Sequence, residues 1–266
     1  DVWRFPAGGP VRLAPVIVGR YLYFGADDGC VYCLENRTGN LVWRQRVAPD
    51  DARLPGNGRM ISRWPVRSSV VAAEGLVYAA AGLFPNEGVY LCAMVHDTGE
   101  ILWRKPLQAA TQGYMAASES RLFLPTGRTA PVVMRRRDGK TMGSPEGLGG
   151  AYTIVMDDML VHGPSEKGQL HVDTPDGLES IVAANARAIV AKDGMAFMLH
   201  EEAISALDRA VYVDLSRRIR AIELIDEKER TPGQKAELED LIKQRAASEQ
   251  WRTPCLNHRT LIKTGS

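Results

Sequence analysis

Short apolar runs separated by turn residues dominate the first part of the chain. Between residues 11 and 47, four strand-length apolar runs alternate with three turn signals, Val18-Gly19-Arg20, Asp27-Asp28-Gly29 and Arg37-Thr38-Gly39. The Asp-Gly and Thr-Gly pairs supply the residue with positive φ that a tight hairpin requires. The runs are rich in β-branched and aromatic residues, which favour strands. This pattern predicts four strands joined by hairpins into one antiparallel sheet.

The pattern recurs along the chain, first after a longer interval and then at a spacing of about 40 residues, which is typical of propeller blades. Thr38-Gly39 is followed by a polar residue, two apolar residues and Trp43, and Thr98-Gly99 is followed in the same way by Trp103. A four-stranded sheet cannot bury both of its faces alone, whereas like sheets stacked around an axis can. The predicted fold is therefore all-β, a β-propeller of four-stranded antiparallel blades. Two weaker copies carry Asp138-Gly139 and Asp176-Gly177 at the corresponding points.

About five complete blades and parts of others are expected from this spacing. The complete blades are predicted over residues 11–47, 65–107, 113–146, 150–183 and 184–255. Before them, Val2-Trp3-Arg4-Phe5 is similar to Val42-Trp43-Arg44 and is predicted to be an outer strand of an earlier blade. After them, Arg259-Thr260-Leu261-Ile262 is predicted to be the first strand of a later blade. We therefore expect the chain to be part of a longer protein with more blades.

The fifth blade is interrupted, between its third and fourth strands, by a stretch whose apolar residues have helical spacing. These residues are Leu215, Ile219, Ile222 and Ile225 in one segment and Leu238, Leu241 and Ile242 in another. Thr231-Pro232 between them is typical of an N-cap followed by proline at the first helical position. An antiparallel helical hairpin with an apolar seam explains the pattern, and docking of another protein on it is an alternative. The expected organisation is propeller blades over residues 1–209, a helical hairpin over 210–248 and a return to propeller strands over 249–266.

Composition and charge exclude several classes of function. Hydrophobic residues make up 45% of the 266 residues, which is enough for a substantial core. Lys and Arg total 33 against 32 Asp and Glu, so the net charge of +1 gives no field that would gather nucleic acid, and nucleic-acid binding is not expected. No apolar run approaches the roughly 20 residues that span a bilayer, so membrane insertion is not expected. The first residues, DVWRFPAGGP, show no signal peptide, and the chain starts with Asp rather than Met.

A fuller pattern, G-x-x-D-G-x-x-Y-x-L-(D/E)-x-x-T-G-x-x-x-W, surrounds the two tryptophans. The matching residues are Gly25, Asp28, Gly29, Tyr32, Leu34, Glu35, Thr38, Gly39 and Trp43 in the first copy, and Gly88, Tyr90, Thr98, Gly99 and Trp103 in the second. This pattern resembles the repeat of the PQQ-like, or quinoprotein-type, β-propellers, and the segment SRWPVRSSVVAAEGLVYAAAG resembles PQQ-like proteins of planctomycete type. The resemblance implies a structural role for the motif, with Trp43 and Trp103 docked on the neighbouring blade. The third and fourth copies lack the tryptophan.

The resemblance also raises quinone chemistry as an alternative function. Quinoprotein alcohol dehydrogenases typically use an adjacent Cys-Cys pair, a stacking tryptophan, a calcium ion and a catalytic aspartate. The four cysteines of this chain are Cys30, Cys33, Cys92 and Cys255, and no two are adjacent. Cys30 and Cys33 are predicted on opposite faces of one strand, where they do not readily share a metal ion. No cofactor, metal site or catalytic residue is therefore expected, and PQQ with calcium is the alternative.

Other polar clusters are interpreted as structural. Asp27 and Asp28 are interpreted as turn residues rather than Ca²⁺ ligands, because a Ca²⁺ site requires about six oxygens. His162 and His171 flank a hairpin and are predicted to face each other, but no third zinc ligand stands out near them. Arg135-Arg136-Arg137 is predicted to lie on a solvated edge or outer strand, with a grip on phosphate or an acidic partner as the alternative.

The axial face of the propeller is the predicted ligand surface, because segments that lead into successive inner strands reach it. These segments are ISRWPVRSS and TQGYMAAS, whose side chains are predicted to converge. The candidate residues are Arg63, Trp64, Arg67, Gln112, Tyr114 and Arg128.

These observations favour a non-catalytic β-propeller that acts as a binding or assembly platform within a larger exported bacterial protein. Protein partners are expected on the propeller face or on the helical hairpin, and the expected compartment is extracytoplasmic. The alternatives are a PQQ-dependent quinoprotein dehydrogenase whose site lies partly outside this chain, and a domain associated with another enzyme.

Overall fold

The computed structural model describes residues 2–56, 58–126, 131–144, 152–156, 159–163, 170–173, 179–183 and 186–256. Within these residues the backbone forms five four-stranded sheets and one two-stranded hairpin. Each strand of a four-stranded sheet pairs antiparallel with its neighbours in sequence. This up-and-down order confirms the predicted four-stranded antiparallel blades, which are numbered 1 to 5 along the chain.

The chain divides into two compact units, Asp1–Pro145 and Glu146–Ser266, and the first contains blades 1 to 3. Blade 1 consists of β1 Val16–Val18, β2 Tyr21–Gly25, β3 Cys30–Glu35 and β4 Leu41–Arg46. A separate hairpin consists of β5 Arg53–Gly56 and β6 Arg59–Ser62. Blade 2 consists of β7 Val71–Ala73, β8 Leu76–Ala81, β9 Val89–Val95 and β10 Ile101–Leu107, with a short 3-10 helix at Pro85–Glu87. Blade 3 consists of β11 Ala116–Ala117, β12 Arg121–Leu124, β13 Val132–Arg135 and β14 Thr141–Gly143.

The second unit contains blades 4 and 5 and two helices. Blade 4 consists of β15 Tyr152–Met156, β16 Met159–Gly163, β17 Leu170–Asp173 and β18 Glu179–Ala183. Blade 5 consists of β19 Ala186–Lys192, β20 Met195–His200, β21 Ala203–Asp208 and β22 Glu249–Pro254. The helices are α1 Arg209–Glu223 and α2 Pro232–Ala247. The domain boundaries expected after residues 209 and 248 stay a prediction.

Buried side chains of the first unit form clusters that follow the period of two in each strand. Tyr23, Val31 and Cys33 of blade 1 share one cluster with Val77 and Met94 of blade 2. A second cluster lies between blades 2 and 3, and a third covers the opposite face of blade 1. Because blades 1 and 2 bury both of their faces, stacking of one sheet on the next supplies the core, as the repeat predicts.

A β-bulge occurs in the outer strand of all five described blades, and in four of them it lies near the start of that strand. In β4, Val42 is the extra residue between Leu41 and Trp43, and Leu102 takes the same place in β10. Met142 and Gln250 are the corresponding extra residues of blades 3 and 5, whereas the extra residue of blade 4, Val182, lies near the end of β18. Blade 3 lacks the tryptophan yet has the bulge at the same place as blades 1 and 2, so this backbone form does not depend on the tryptophan.

Three tryptophan rings lie across a glycine of the next copy of the repeat. The pairs are Trp3 with Gly39, Trp43 with Gly99 and Trp103 with Gly139. The indole N–H of Trp43 donates to the His96 carbonyl at 3.0 Å, and that of Trp3 donates to the Asn36 carbonyl at 3.0 Å. All three glycines have positive φ, so both the backbone conformation and the ring contact exclude a larger residue.

The segment before blade 1 departs from its predicted secondary structure. Residues 2–5 lie outside any strand, so the outer strand predicted there is wrong, because among the described residues no strand pairs with it in a ladder. Trp3 nevertheless has the position of an outer-strand tryptophan, since its ring lies on Gly39. The strand predicted at residues 259–262 and the turn at Asp176-Gly177 lie outside the described residues.

Arg135, at the end of β13, and Arg136, just after it, lie in different environments. Arg136 is buried, where its guanidinium pairs with Glu74 of blade 2 and donates to the Ser118 carbonyl at 2.6 Å. Arg135 is partly exposed and donates from Nε to Asp138 at 2.9 Å. The predicted solvated strand is therefore wrong for Arg136, because the turn that carries it packs against blade 2.

The helical hairpin lies between β21 and β22 of blade 5, as predicted. The side chain of Asp208 caps α1, and a capping box between Thr231 and Gln234 begins α2. The seam between the helices consists of Leu215, Ile219, Ile222, Leu238 and Leu241. Ile242 is exposed and Ile225 lies beyond the end of α1, so neither belongs to the seam. Neither of these two described helices is long and apolar enough to cross a membrane.

Candidate binding face

Loops at one end of blades 1 and 2 form a connected surface in the first unit. In an up-and-down sheet, alternate connections leave the sheet at the same end. This rule places residues 47–56 with 58–70, 82–88 and 108–115 at one end of the two blades. We call the surface formed by these three loops the loop face.

Hydrogen bonds between main-chain groups join the three loops. The Gly82 N–H donates to the Pro65 carbonyl at 3.0 Å. The Gly113 N–H donates to the Arg67 carbonyl at 3.1 Å, and the Ser69 N–H donates to the Gly113 carbonyl at 2.8 Å. The two segments that lead into the inner strands of blades 2 and 3 are thus held directly against each other.

Trp64 holds the loop face together rather than projecting from it. The residue is buried, and its indole N–H donates to the Glu87 carbonyl at 2.6 Å. The guanidinium of Arg63 lies 5.4 Å from the Trp64 ring centroid and 4.0 Å from the Glu87 carboxylate. Because the ring orients the guanidinium, Arg63 presents a charged group at the surface while Trp64 links two loops.

A buried carboxylate lies beneath the loop face. Asp27 is fully buried and accepts hydrogen bonds from Arg67 Nε at 3.1 Å and from Arg12 Nε at 2.9 Å. The positive charge of Arg67, which is a predicted ligand residue, is therefore paired with this buried carboxylate. Sequence reasoning missed this pairing, because the two arginines are 40 and 15 residues from Asp27 in the chain. Arg128, another predicted ligand residue, lies outside the described residues.

The neighbouring Asp28 also binds protein donors. Its Oδ2 accepts from the Tyr32 hydroxyl at 2.6 Å and from Arg44 at 2.8 Å, and its Oδ1 accepts from the Cys30 N–H at 3.2 Å. Burial and the hydrogen bond to Asp28 raise the pKa of Tyr32 to about 12. The phenol therefore stays protonated and donates to the carboxylate at neutral pH.

Aromatic and apolar side chains project from the loop face into solvent. Tyr114 is 65% exposed, Phe84 is 60% exposed and Met60 is 55% exposed, and Gln112 is exposed beside Tyr114. Met60 lies on β6 of a hairpin that sequence reasoning missed, although Asn57-Gly58 is a strong hairpin signal. A ligand-binding role for these residues stays a prediction.

The cysteines of the first unit lie in separate buried environments. Cys30 and Cys33 belong to clusters on opposite faces of β3, as predicted, and Cys92 is buried in blade 2. Burial raises the pKa of the Cys33 thiol to about 12 and also raises that of Cys30, so both stay protonated at neutral pH. In the described part of the chain, no group of three or more His, Cys, Asp or Glu is arranged to hold a metal ion.

Two histidines face each other in blade 4 of the second unit, as predicted. His162 of β16 and His171 of β17 are register partners, and their ring centroids are 5.4 Å apart. Burial lowers the pKa of His162 to about 4 and also lowers that of His171. Both rings are therefore neutral near pH 7.

Up-and-down four-stranded sheets that stack face to face, with tryptophan rings lying on glycines of the next copy, define a β-propeller of the PQQ-like class. A family model described as "Outer membrane protein assembly factor BamB" matches residues 27–210. The chain belongs to this PQQ-like family. No curated protein matches the chain.

Solved structures are similar in fold at low sequence identity. BamB from Moraxella catarrhalis is 16% identical with a TM-score of 0.54, over 75% of this chain and 60% of that chain. A europium-containing methanol dehydrogenase is 11% identical with a TM-score of 0.49, over 78% of this chain and 57% of that chain. The quinohemoprotein alcohol dehydrogenase from Comamonas testosteroni is 14% identical with a TM-score of 0.48, over 76% and 42%. The chain spans about 60% of the length of the BamB structure.

Proposed function

We propose that this chain is a non-catalytic propeller segment that binds another protein through the loop face, as an assembly platform within a larger exported bacterial protein. Family membership carries the proposal, because the model that matches residues 27–210 is described as an outer membrane protein assembly factor. The same description favours an extracytoplasmic compartment.

The chemistry of the loop face supports a protein partner. Met60, Phe84 and Tyr114 project from three different loops, and the half-exposed Arg63 lies beside Trp64. Aromatic residues, methionine and arginine are the types that protein interfaces favour. Because hydrogen bonds already join the loops, a partner would meet an ordered surface, and binding would cost less conformational entropy.

The experiment compares two triple variants of the full chain with the wild type. A partner is captured by cross-linking from a bacterial envelope extract, purified, and titrated against each protein. The variants are Met60→Ala/Phe84→Ala/Tyr114→Ala on the loop face and, as the matched control, Val42→Ala/Leu102→Ala/Met142→Ala at the exposed bulges of the outer strands. We expect the loop-face variant to bind at least about ten-fold more weakly, since interface aromatic residues often contribute more than 1.4 kcal/mol each. Equal affinities of the two variants would contradict the proposal.

The alternative, a PQQ-dependent dehydrogenase with its site partly outside this chain, predicts a different outcome. PQQ and Ca²⁺ added to the full chain would then change the quinone absorption spectrum and support dye reduction with an alcohol. We expect neither change, because Cys30 and Cys33 lie on opposite faces of β3 and cannot act as an adjacent pair. If the full reading frame also encodes a catalytic domain, the third hypothesis is favoured, in which this chain is a domain associated with another enzyme.

A further inference from the structure

The loop face carries an excess of positive charge. Its described residues include four arginines against three carboxylates, and neither lysine nor histidine. The arginines are Arg53, Arg59, Arg63 and Arg67. Two more reach the loop face from neighbouring segments, since Arg12 pairs with the buried Asp27 and Arg46 of β4 pairs with Asp51. With these two, and with Asp27 included, six arginines meet four carboxylates, whereas the net charge of the whole chain is only +1. The local field at this end of blades 1 and 2 therefore favours negative charge.

Two of the four carboxylates are each shared by two guanidiniums. Asp27 accepts from Arg12 and Arg67, at 2.9 and 3.1 Å. Asp51 likewise lies 3.0 and 3.4 Å from two guanidiniums, and the second of them belongs to Arg53. Because one carboxylate neutralises only one guanidinium, each group of three keeps a positive charge. The side chains of Arg12 and Arg53 are 39% and 46% exposed, so part of that charge is in contact with solvent.

The other two carboxylates also bind groups of the protein itself. Glu87 lies 4.0 Å from Arg63, and Asp50 accepts from the Ala52 N–H at 2.6 Å. Arg59 of β6 is exposed, and in the part of the chain that the structure describes no carboxylate pairs with it. The described loop face therefore offers guanidiniums, rather than carboxylates, to a partner.

One exposed aromatic residue of the loop face is joined to an arginine-bearing segment by main-chain hydrogen bonds. Tyr114 is 65% exposed and follows Gly113, whose N–H donates to the Arg67 carbonyl at 3.1 Å. The Gly113 carbonyl in turn accepts from the Ser69 N–H at 2.8 Å. A partner that covers the phenol therefore meets the segment whose guanidinium is shared with Asp27.

A second exposed aromatic residue is joined to another arginine through Glu87. The Glu87 N–H donates to the carbonyl of Phe84, which is 60% exposed, at 3.0 Å. The carboxylate of Glu87 lies 4.0 Å from the guanidinium of Arg63, whose side chain is half-exposed. Each of these two aromatic residues is thus close in the bonding pattern to a partly exposed guanidinium.

We propose, on the basis of the proposed function, that the partner binds the loop face with a segment in which Asp or Glu side chains flank aromatic or large aliphatic side chains. The apolar side chains would cover Phe84 and Tyr114, and the carboxylates would meet the guanidiniums of Arg59 and Arg63. Carboxylates and guanidiniums match in charge and in planar geometry, and such pairs form strong hydrogen bonds. The carboxylates interspersed among the arginines disfavour a continuous polyphosphate, which favours a protein segment over a nucleic acid.

The charge excess also determines which partners are rejected. A lysine-rich segment would bring like charges against Arg59 and Arg63, and like charges that face each other across an interface lower affinity. Because both arginines are exposed, salt screens their attraction for a carboxylate but leaves the apolar contacts. The electrostatic and apolar contributions can therefore be measured separately.

The first experiment uses the full chain and three fluorescent peptides, whose binding is followed by fluorescence anisotropy. The peptides repeat Phe-Glu-Asp, Phe-Lys-Lys or Ser-Glu-Asp three times. We expect the Phe-Glu-Asp peptide to bind saturably and at least about ten-fold more tightly than either of the others, since it alone supplies both contributions. Raising the NaCl concentration from about 50 mM to about 500 mM should weaken its binding several-fold, because the screening length shortens to roughly a few ångströms.

The second experiment tests whether this binding is on the loop face, with two double variants that remove the same charge. Arg59→Gln/Arg63→Gln changes the loop face. Arg37→Gln/Lys140→Gln changes exposed residues of the β3–β4 and β13–β14 turns, which leave their sheets at the opposite end. The first variant should bind the Phe-Glu-Asp peptide at least about three-fold more weakly and depend less on salt, whereas the second should bind it like the wild type. Circular dichroism checks that each variant is folded, and the peptide comparison on the wild type decides the question where one is not.

Three results would overturn the proposal. They are equal or undetectable binding of the Phe-Glu-Asp and Phe-Lys-Lys peptides, equal binding by the two double variants, and equally tight binding of a single-stranded oligonucleotide with the charge of the Phe-Glu-Asp peptide. The proposed function stands without this proposal if Met60→Ala/Phe84→Ala/Tyr114→Ala still weakens binding of the captured partner. If that triple variant binds the partner as well as its control does, the proposed function itself fails.

Discussion

Trp43 lies so close to Gly99 that a Cβ atom at residue 99 would be 2.7 Å from Cδ2 of the indole. The same relationship holds for Trp3 with Gly39, and in both cases the indole N–H reaches a main-chain carbonyl of the same turn. A tryptophan of one copy is thus complementary to the Thr-Gly turn of the next. This contact explains physically why the repeat contains both a Thr-Gly turn and a tryptophan.

Trp43 and Trp103 have equivalent positions in the repeat but differ in the hydrogen bond of the indole N–H. We expect their substitution to affect the free energy of unfolding by different amounts. Trp43 donates to the His96 carbonyl, whereas the indole N–H of Trp103 is buried without an acceptor among the described residues. Trp43→Phe should therefore lower the free energy of unfolding by about 1 kcal/mol more than Trp103→Phe. Urea denaturation followed by circular dichroism measures both, and equal losses would show that ring packing alone decides the effect.

The short distance between Gly99 and the Trp43 ring predicts that one added methyl group at residue 99 strongly destabilises the protein. Gly99→Ala should cost about 1–3 kcal/mol more than Gly75→Ala, because both residues have positive φ but only Gly99 lies under an indole ring. At Gly75 the added Cβ would meet His96 at an ordinary 3.6 Å. Thermal unfolding of the two variants compares them, and a larger loss for Gly75→Ala would contradict the prediction.

The carboxylate of Asp27 is the common partner of two guanidiniums. Asp27→Asn should destabilise the first unit by about 2–4 kcal/mol, since it removes the charge that Arg12 and Arg67 share while leaving them close together. Asp51→Asn is the matched control, because that carboxylate pairs with arginine at the surface, where solvent screens the pair and its loss should have little effect. Similar losses for the two variants, measured by denaturant unfolding, would count against the inferred role of burial.

Acid should destabilise the second unit through its facing histidines. Burial lowers the pKa of His162 from 6.5 to about 4 in the folded chain, so the unfolded chain takes up the proton first as the pH falls. The stability that the neutral ring contributes is present above pH 6.5, falls between pH 6.5 and 4, and changes no further below pH 4. Its size is roughly 3 kcal/mol at most. In His162→Gln the unfolding free energy should depend less steeply on pH over this interval, and an unchanged slope would refute the assignment.

Local signals carried most of the fold prediction. Thr38-Gly39 and Thr98-Gly99 mark tight turns at glycines with positive φ, and the strands of each sheet pair with their neighbours in sequence. The capped helix at Thr231 was equally readable, because a cap and the apolar residues that follow it are close together in the chain. The β5–β6 hairpin could have been found from Asn57-Gly58.

Contacts between distant residues account for the errors and omissions. Arg136 was expected in solvent, but its turn meets Glu74, 62 residues away, and is buried there. The partners of Asp27 also come from other segments, and nothing near Asp27 in the chain distinguishes it from an ordinary turn residue. The candidate ligand residues show the same limit, since Trp64 and Tyr114 belong to similar segments yet one is buried and the other exposed.

The order of apolar runs and glycine turns was by itself sufficient to determine the five blades and the helical insertion, because each blade is built from hairpins whose signals are only a few residues long. Tertiary structure alone decided which polar groups are buried and paired, where the bulges place exposed apolar residues, and that the segment before blade 1 lies in a groove instead of a strand. Those outcomes depend on the shape of a neighbouring surface, and that surface exists only after the sheets have stacked.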